Sequence, residues 1–352
     1  MTLSETLKKI TGGDSAAKQE CLRRWDAVAK PLHSLGLLES LTARMAGTQG
    51  TAAPHLEKPR VLVFCADNGV IAEGVSQSGS EVTTAVAEAL AAGSSNVNLM
   101  ARCAGADVIT YDVGMVTDGK HPAIRKYKLA NGTKNLAVGP AMTEAEAIFA
   151  LEVGIRAAEE AKAEGCDILV AGEMGIGNTT SSTAVLCTLL DLDPAAVTGR
   201  GSGLDDAGLL RKQNAIRRAL DCSRPDPANA LDVLQKVGGF DIAAMCGVYL
   251  GGAALGIPVV LDGLISGAAA LLAHRFAPGS AEAMLPSHQS KEPGGSLALE
   301  ALGLRAPIVA DLALGEGTGG VALLPLLKMA LAVLNGDHSF DSIGVEAYTP
   351  QS

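Results

Sequence analysis

Four short apolar runs, Arg60-Val-Leu-Val-Phe-Cys-Ala66, Asp107-Val-Ile-Thr-Tyr-Asp-Val113, Asp167-Ile-Leu-Val-Ala171 and Ile257-Pro-Val-Val-Leu261, constrain this chain more than any other feature. None alternates polar with apolar positions, as a strand with one wet face would. A continuous run needs cover on both faces, which is the condition of a parallel sheet between two helical layers. Helical patterns separate the runs. Glu81 to Ala104 is Ala-rich, and Thr143 to Ala163 opens with Thr143 and Glu146 at the spacing of a capping box. With the runs read as one helix apart, this is a βαβ rhythm, whose crossovers are right-handed. The expected fold class is therefore α/β with helices on both faces of a parallel sheet.

The two chain ends read differently. The first fifty-odd residues carry no strand signal and read as helical, with apolar positions at Trp25, Val28, Leu32, Leu35 and Leu38, and Val321 to Leu334 reads the same way. With 352 residues at roughly 150 per domain, about two domains are expected. The division predicted is a small helical domain from residues 1–55 together with 321–352, and a large α/β domain over 56–320. Lys120 to Lys134, the most polar stretch, reads as an exposed excursion or a mobile flap.

Charge and composition exclude several functions. Lys plus Arg number 28 against 38 Asp plus Glu, a net charge of −10, so there is no footprint for a polyanion. Only 3% of residues are aromatic, too few for a platform that stacks single-stranded bases. The seven Cys are scattered, with no C-x-x-C pair and no His at zinc spacing, and read as buried thiols in a reducing cytosol with no metal site. Met1 to Asp14 lacks the apolar stretch of a secretory signal, which again points to the cytoplasm. Ile242 to Leu261 carries no charge and is long enough to cross a bilayer, yet Gly251, Gly252, Gly256 and Pro258 interrupt it and Asp262 follows at once. It is expected to be a buried helix running into a buried strand.

Ligands of open parallel sheets bind beyond the carboxyl ends of the strands. After the Asp167 run comes Gly172-Glu-Met-Gly-Ile-Gly-Asn-Thr-Thr180, leading into an apolar helix. Such a segment is either a cradle of backbone amides for a phosphate or a tight turn with Thr as a cap. Its spacing matches neither a dinucleotide fingerprint nor an ATPase loop. A second glycine-rich segment is Leu314-Gly-Glu-Gly-Thr-Gly-Gly320. Glu316 there is either a solvated turn residue or, if desolvated, a base of raised pKa. With Glu173 in the other glycine loop, two carboxylates would converge on one pocket. Further candidates are Ala66-Asp-Asn-Gly69, Gly74-Val-Ser76, Leu210-Arg-Lys-Gln213 and His288-Gln-Ser290 with Glu292-Pro293. Lys212 reads either as a point-charge clamp for phosphate or as a surface lysine. His288 reads as a ligand or base, or as a hydrogen-bonding loop residue.

Taken together, these segments with Glu81-Val-Thr83, Thr198-Gly-Arg-Gly-Ser-Gly-Leu-Asp205, Val237-Gly-Gly-Phe-Asp-Ile242 and Leu261-Asp-Gly263 resemble the nicotinate-nucleotide:dimethylbenzimidazole phosphoribosyltransferases of cobamide lower-ligand assembly. The resemblance covers nearly the whole chain. It implies displacement of nicotinate from nicotinate mononucleotide by a ring nitrogen of dimethylbenzimidazole, giving an α-riboside 5′-phosphate. It implies Glu316 as the general base and Glu173 as a second pocket carboxylate. It places the phosphate near Gly175, Gly177, Asn178, Thr179, Lys212 and Ser290, and the acceptor among Ser76, Ser78, Gly79, Ser80, Ala85, Met174 and Leu314. It also implies a Rossmann-like sheet domain with a small helical domain, no cofactor, no nucleic-acid or membrane partner, and a homodimer or a heterodimer with a homologous subunit.

The chain departs from the family pattern at Asn68, where His is usual, at Ser76-Gln77-Ser78-Gly79, where Ser-x-Tyr-Pro is usual, and at Ala85, where Gln is usual. These positions leave two acceptors open, a benzimidazole attacking through nitrogen or a phenol or p-cresol attacking through oxygen. A third reading is an inactive homologous subunit, against which the intact Glu173 and Glu316 loops count.

Overall fold

A computed structural model describes residues 1–348. Its strands are β1 Pro59–Ala66, β2 Asp107–Gly114, β3 Arg125–Lys126, β4 Ile168–Met174, β5 Val259–Val260 and β6 Met284–Leu285. They form a 6-stranded sheet in the order β3-β2-β1-β4-β5-β6, and every pairing is parallel. The unalternating runs have the expected cause. Along β1, Val61, Val63 and Cys65 enter one apolar core while Leu62, Phe64 and Ala66 enter the other, and β4 divides the same way between Ile168 and Val170 and Leu169 and Ala171.

The helices are α1 Leu3–Lys9, α2 Ser15–Ala27, α3 Leu37–Gln49, α4 Glu81–Ala91, α5 Asn96–Ala104, α6 Glu144–Ala163, α7 Asn178–Leu190, α8 Pro194–Val197, α9 Asp206–Ser223, α10 Ala230–Val237, α11 Phe240–Leu255, α12 Leu264–Phe276, α13 Pro293–Ala301 and α14 Thr318–Leu334. The capping box at Thr143 and Glu146 opens α6 as expected. The uncharged Ile242 to Leu261 stretch is α11, buried along nearly its whole length, followed by β5. Among the described residues no helix is long and apolar enough to cross a membrane.

Several expectations need correction. The strands are not each one helix apart, because α7 to α11 all lie between β4 and β5. Glu81 to Ala104 is two helices, since Gly93 at positive φ ends the first and Ser95 caps the second. The apolar spacing from Trp25 to Leu38 is not one helix. Pro31 and Gly36 interrupt it, and His33 sits at φ 58. Lys120 to Lys134 is exposed or half-buried over most of its length, as an excursion would be, and contains β3, an edge strand whose Arg125 pairs with Glu160.

Helices α2, α3 and α14 from the two chain ends pack together, and the apolar core they share continues into Val61, Val63, Val170 and Val260 of the sheet. Helix α1 crosses to the opposite face and packs on α11 and α6.

Candidate active site

Strand order reverses between β1 and β4, so connections leave to opposite sides there and open a crevice at the carboxyl edge. A cavity of about 320 Å³ occupies this crevice. Its walls come from the loop after β1 (Val75, Ser76, Ser78), α4 (Val82, Val86), the β4–α7 turn (Glu173 to Thr179), the segments after β5 (Asp262 to Ser266) and β6 (His288, Ser290, Glu292), and the 312–316 loop.

Glu173 and Glu316 both face this cavity, and each is 8% exposed. Glu316 is held by its backbone. It takes φ 61, a left-handed conformation that costs a side-chain-bearing residue on the order of 1 kcal/mol, between Gly315 at φ 87 and Gly317 at φ 88. Asp262, just past β5, fixes the exit of this loop by accepting from Gly317 N at 3.0 Å, Gly319 N at 2.8 Å and Gly320 N at 3.3 Å. These are the orphan amides at the start of α14, so the carboxylate anchors the loop and satisfies the helix dipole together. Burial pushes the Glu316 carboxyl up, opposed by the Val97 amide and the Ser95 hydroxyl at the amino end of α5, and its Oε2 has no hydrogen-bond partner among the described residues. A raised, half-satisfied carboxylate in a cavity has the properties of a general base.

Burial, with Asp241 as the next contributor, pushes Glu173 up to about 8. Asn178 Nδ2 donates both to Glu173 Oε2 and to Asp241 Oδ2, the latter at 2.9 Å. Lys212 is not a surface lysine. It is fully buried on α9, and its Nζ donates to Thr179 Oγ1 at 2.9 Å and Gly199 O at 3.2 Å. It therefore stands behind the turn that carries Gly175, Gly177, Asn178 and Thr179, and burial lowers its pKa to about 8. His288 is buried in the cavity wall with Nδ1 3.0 Å from Ser287 Oγ.

Comparison with known proteins decides the family. A family model described as phosphoribosyltransferase (DBI_PRT) matches residues 10–345. The nicotinate-nucleotide–dimethylbenzimidazole phosphoribosyltransferase of Acetivibrio thermocellus is 41% identical over 349 residues, 99% of each chain. That of Chloroflexus aggregans is 44% identical over 344 residues, 97% of this chain and 98% of the relative. The crystal structure of CobT from Thermus thermophilus superposes with a TM-score of 0.90 at 44% identity, covering 95% of this chain and 100% of that one. The chain belongs to the nicotinate-nucleotide:dimethylbenzimidazole phosphoribosyltransferase family.

In this member of the family the structure brings together Glu173, Met174, Gly175, Gly177, Asn178, Thr179, Ser76, Ser78, Ser290, Leu314 and Glu316 around the cavity. Three residues expected in the acceptor pocket are not in its wall: Gly79, Ser80 and Ala85. Gly79 and Ser80 lie just ahead of α4, and on α4 itself the helical period turns Ala85 to solvent while Val82 and Val86, one turn apart, face the cavity. Asn68 is also behind the wall, with Oδ1 accepting from Ser181 Oγ at 2.8 Å. Two carboxylates escaped the reading of the sequence as site residues, Asp241 and Asp262. Each is the lone charge beside a long apolar run at the carboxyl edge, which is the signal that marks them.

One substitution tests how Glu316 is held. A Cβ at Gly172 would come 2.6 Å from Glu316 O and 2.9 Å from Gly317 N. Gly172→Ala should push the base off its seat and lower turnover by about 100-fold, the cost of a displacement of roughly 1 Å. Steady-state kinetics alongside circular dichroism check this; full activity in a folded variant would show that the loop's seat on β4 is unimportant.

Proposed function

We propose that the chain transfers ribose 5-phosphate from nicotinate mononucleotide to an aromatic lower-ligand base of the benzimidazole class, releasing nicotinate. The observation that carries this reading is the pairing, in one cavity, of the half-satisfied Glu316 carboxylate with the Gly175 to Thr179 turn, whose Thr179 hydroxyl is bonded from behind by the buried Lys212. The nucleotide phosphate sits at the Gly175 to Thr179 turn with Ser290, where the helix dipole of α7 and Lys212 favour negative charge. The acceptor lies against Val75, Val82, Val86, Met174 and Leu314, the apolar side chains of the cavity wall.

In the reaction the acceptor ring nitrogen forms a bond to C1′ from the face opposite nicotinate. The C1′–N bond to nicotinate breaks with its electron pair going to the pyridine nitrogen, which was cationic and becomes neutral. The acceptor N–H proton passes to the Glu316 carboxylate. Glu173, in its ionised form, stabilises positive charge growing at the sugar. No pyrophosphate leaves, so the chain's contribution is positioning, a base and carboxylate electrostatics. The free thiols fit a reducing cytoplasmic setting. The reading includes a pair of subunits, and Leu99 on α5 with Met329 and Val333 on the adjoining α14 are exposed apolar side chains available to it.

Small Ser76 and Ser78 in the cavity wall favour a second acceptor class, phenols attacking through oxygen. The deciding experiment uses the chain purified alone with nicotinate mononucleotide and equimolar dimethylbenzimidazole and p-cresol. Nicotinate release with an N-linked α-riboside phosphate is the expected result. A phenolic product would transfer the reading to the second class, and no release with any acceptor would identify an inactive subunit.

A further inference from the structure

Asp241 is fully buried in the first turn of α11, outside the cavity wall, with no role in the chemistry described so far. Burial pushes its carboxyl up to about 6, and the nearby Asp67 adds to the rise. A buried acid without a cation is retained at a cost unless its hydrogen bonds do something. Capping does not explain it. The N-cap of α11 is Gly239, and the backbone amides that lower the Asp241 carboxyl are its own and that of Ile242, the latter donating to Oδ1 at 3.0 Å, rather than the amides two and three residues on that a cap would take. Its other oxygen, Oδ2, accepts from Asn178 Nδ2 at 2.9 Å, and that same nitrogen donates to Glu173.

We propose that Asp241 is a positioning residue for the transfer reaction, acting through the Asn178 amide to hold the Glu173 carboxyl against the sugar. This rests on the role given to Glu173 above. The two hydrogens of one amide nitrogen are divided between two carboxyls, so the orientation of Asn178 is set from behind by an acceptor that never touches substrate. Space around the relay is closed. A Cβ at Gly175 would lie 2.7 Å from Asp241 Oδ2, and one at Gly239 would lie 2.7 Å from Oδ1. The acids that raise Glu173 are Asp241, which shares Asn178 with it, Asp262 from the end of β5 and Glu316 from the 314–320 loop, while His288 lines the same cavity and the buried Cys65 thiol on β1 is raised in turn by Glu173.

Asn cannot replace Asp241. Both of its oxygens accept, one from Ile242 N and one from Asn178 Nδ2, so an amide sets a donor against a donor on one side in either orientation. The test is a double-mutant cycle of Asp241→Asn and Glu173→Gln, read as kcat and KM at a pH where Glu173 is ionised in the parent. The expected result is a fall in kcat of about 10–100-fold for Asp241→Asn with KM for the nucleotide little changed, and no further loss on adding it to Glu173→Gln. Losses that multiply, or an unchanged kcat, would overturn the inference. If Asp241→Asn does not fold, Asn178→Ala must show the same loss and the same non-additivity with Glu173→Gln, and independent losses there overturn the inference equally. A parent-like rate for Glu173→Gln alone refutes instead the role of Glu173 itself.

Discussion

Replacing Glu316 by Gln is expected to lower turnover by about 10²–10⁴-fold while leaving nucleotide binding intact. The amide matches the carboxylate in shape, so the left-handed backbone at φ 61 and the Asp262 anchor on Gly317 survive, and what disappears is the capacity to accept a proton. The pH dependence supplies a second signature. Burial holds the Glu316 pKa above the ordinary carboxylate value, and only the ionised form is a base. The parent rate should therefore climb with pH through that raised value, and the Gln variant should lose that limb. Stability moves the other way. The folded state binds the Glu316 proton more tightly than the unfolded state, so ionisation costs stability as pH rises above the unfolded value, and Glu316→Gln should melt higher than the parent at neutral pH without substrate. Nicotinate release across pH, nucleotide titration calorimetry and thermal melts measure the three effects. A parent-like rate would remove Glu316 from the chemistry and with it the mechanism.

The parts of the molecule legible in the sequence were those with enough residues to carry a period. β1, β2 and β4 are long, and their unalternating runs announce two covered faces. β3, β5 and β6 have two residues each; β5 was still legible because Val259–Val260 sits inside the apolar run Ile257 to Leu261, whereas Arg125–Lys126 and Met284–Leu285 lie in no such run and exist because the sheet edge offers a partner. The glycine loops at Gly172 and Leu314 could be read because a Cβ is excluded there. A substitution at Gly319, for instance, would drive into His288 and Asp262. Side-chain direction was less legible. Ala85 matches an acceptor position in the family's order of residues, but one turn of α4 decides that Val82 and Val86 face the cavity. Lys212 gave the opposite surprise, because a lysine in the polar run Arg211-Lys-Gln213 reads as solvated, and only the packing of α9 on α7 buries it. A lone charge at either end of the apolar run marks Asp241 and Asp262 as unusual, but their partners, Asn178 and the amides at the start of α14, are distant in sequence, so the pattern does not reveal what they do.

Lys212→Met should raise the apparent KM for the nucleotide by about 10–100-fold and, in the absence of nucleotide, raise the melting temperature by a few degrees. The first effect follows from the loss of the charge-assisted hydrogen bond that Lys212 donates to Thr179 Oγ1 in the phosphate turn, worth about 1.5–3 kcal/mol, at about 1.4 kcal/mol per decade. The second follows from burial. Lys212 is fully buried with two neutral partners, Thr179 and Gly199, and desolvation lowers its pKa from 10.5 to about 8. The unfolded state therefore binds the proton more tightly than the folded one. This cost to the fold is complete below about pH 8 and is relieved as pH rises from about 8 toward 10.5. A Met of similar volume removes the buried charge outright, a change that is commonly stabilising. The gap in melting temperature between variant and parent should be widest at pH 7 and close toward pH 10.5. Saturating nucleotide should reverse the order, because mass action stabilises only the chain that binds it. A buried cation kept at the expense of the empty fold is one selected for a ligand, so a variant that melts lower than the parent without nucleotide, or binds it equally well, would make Lys212 a structural residue and leave the phosphate end of the cavity without its charge.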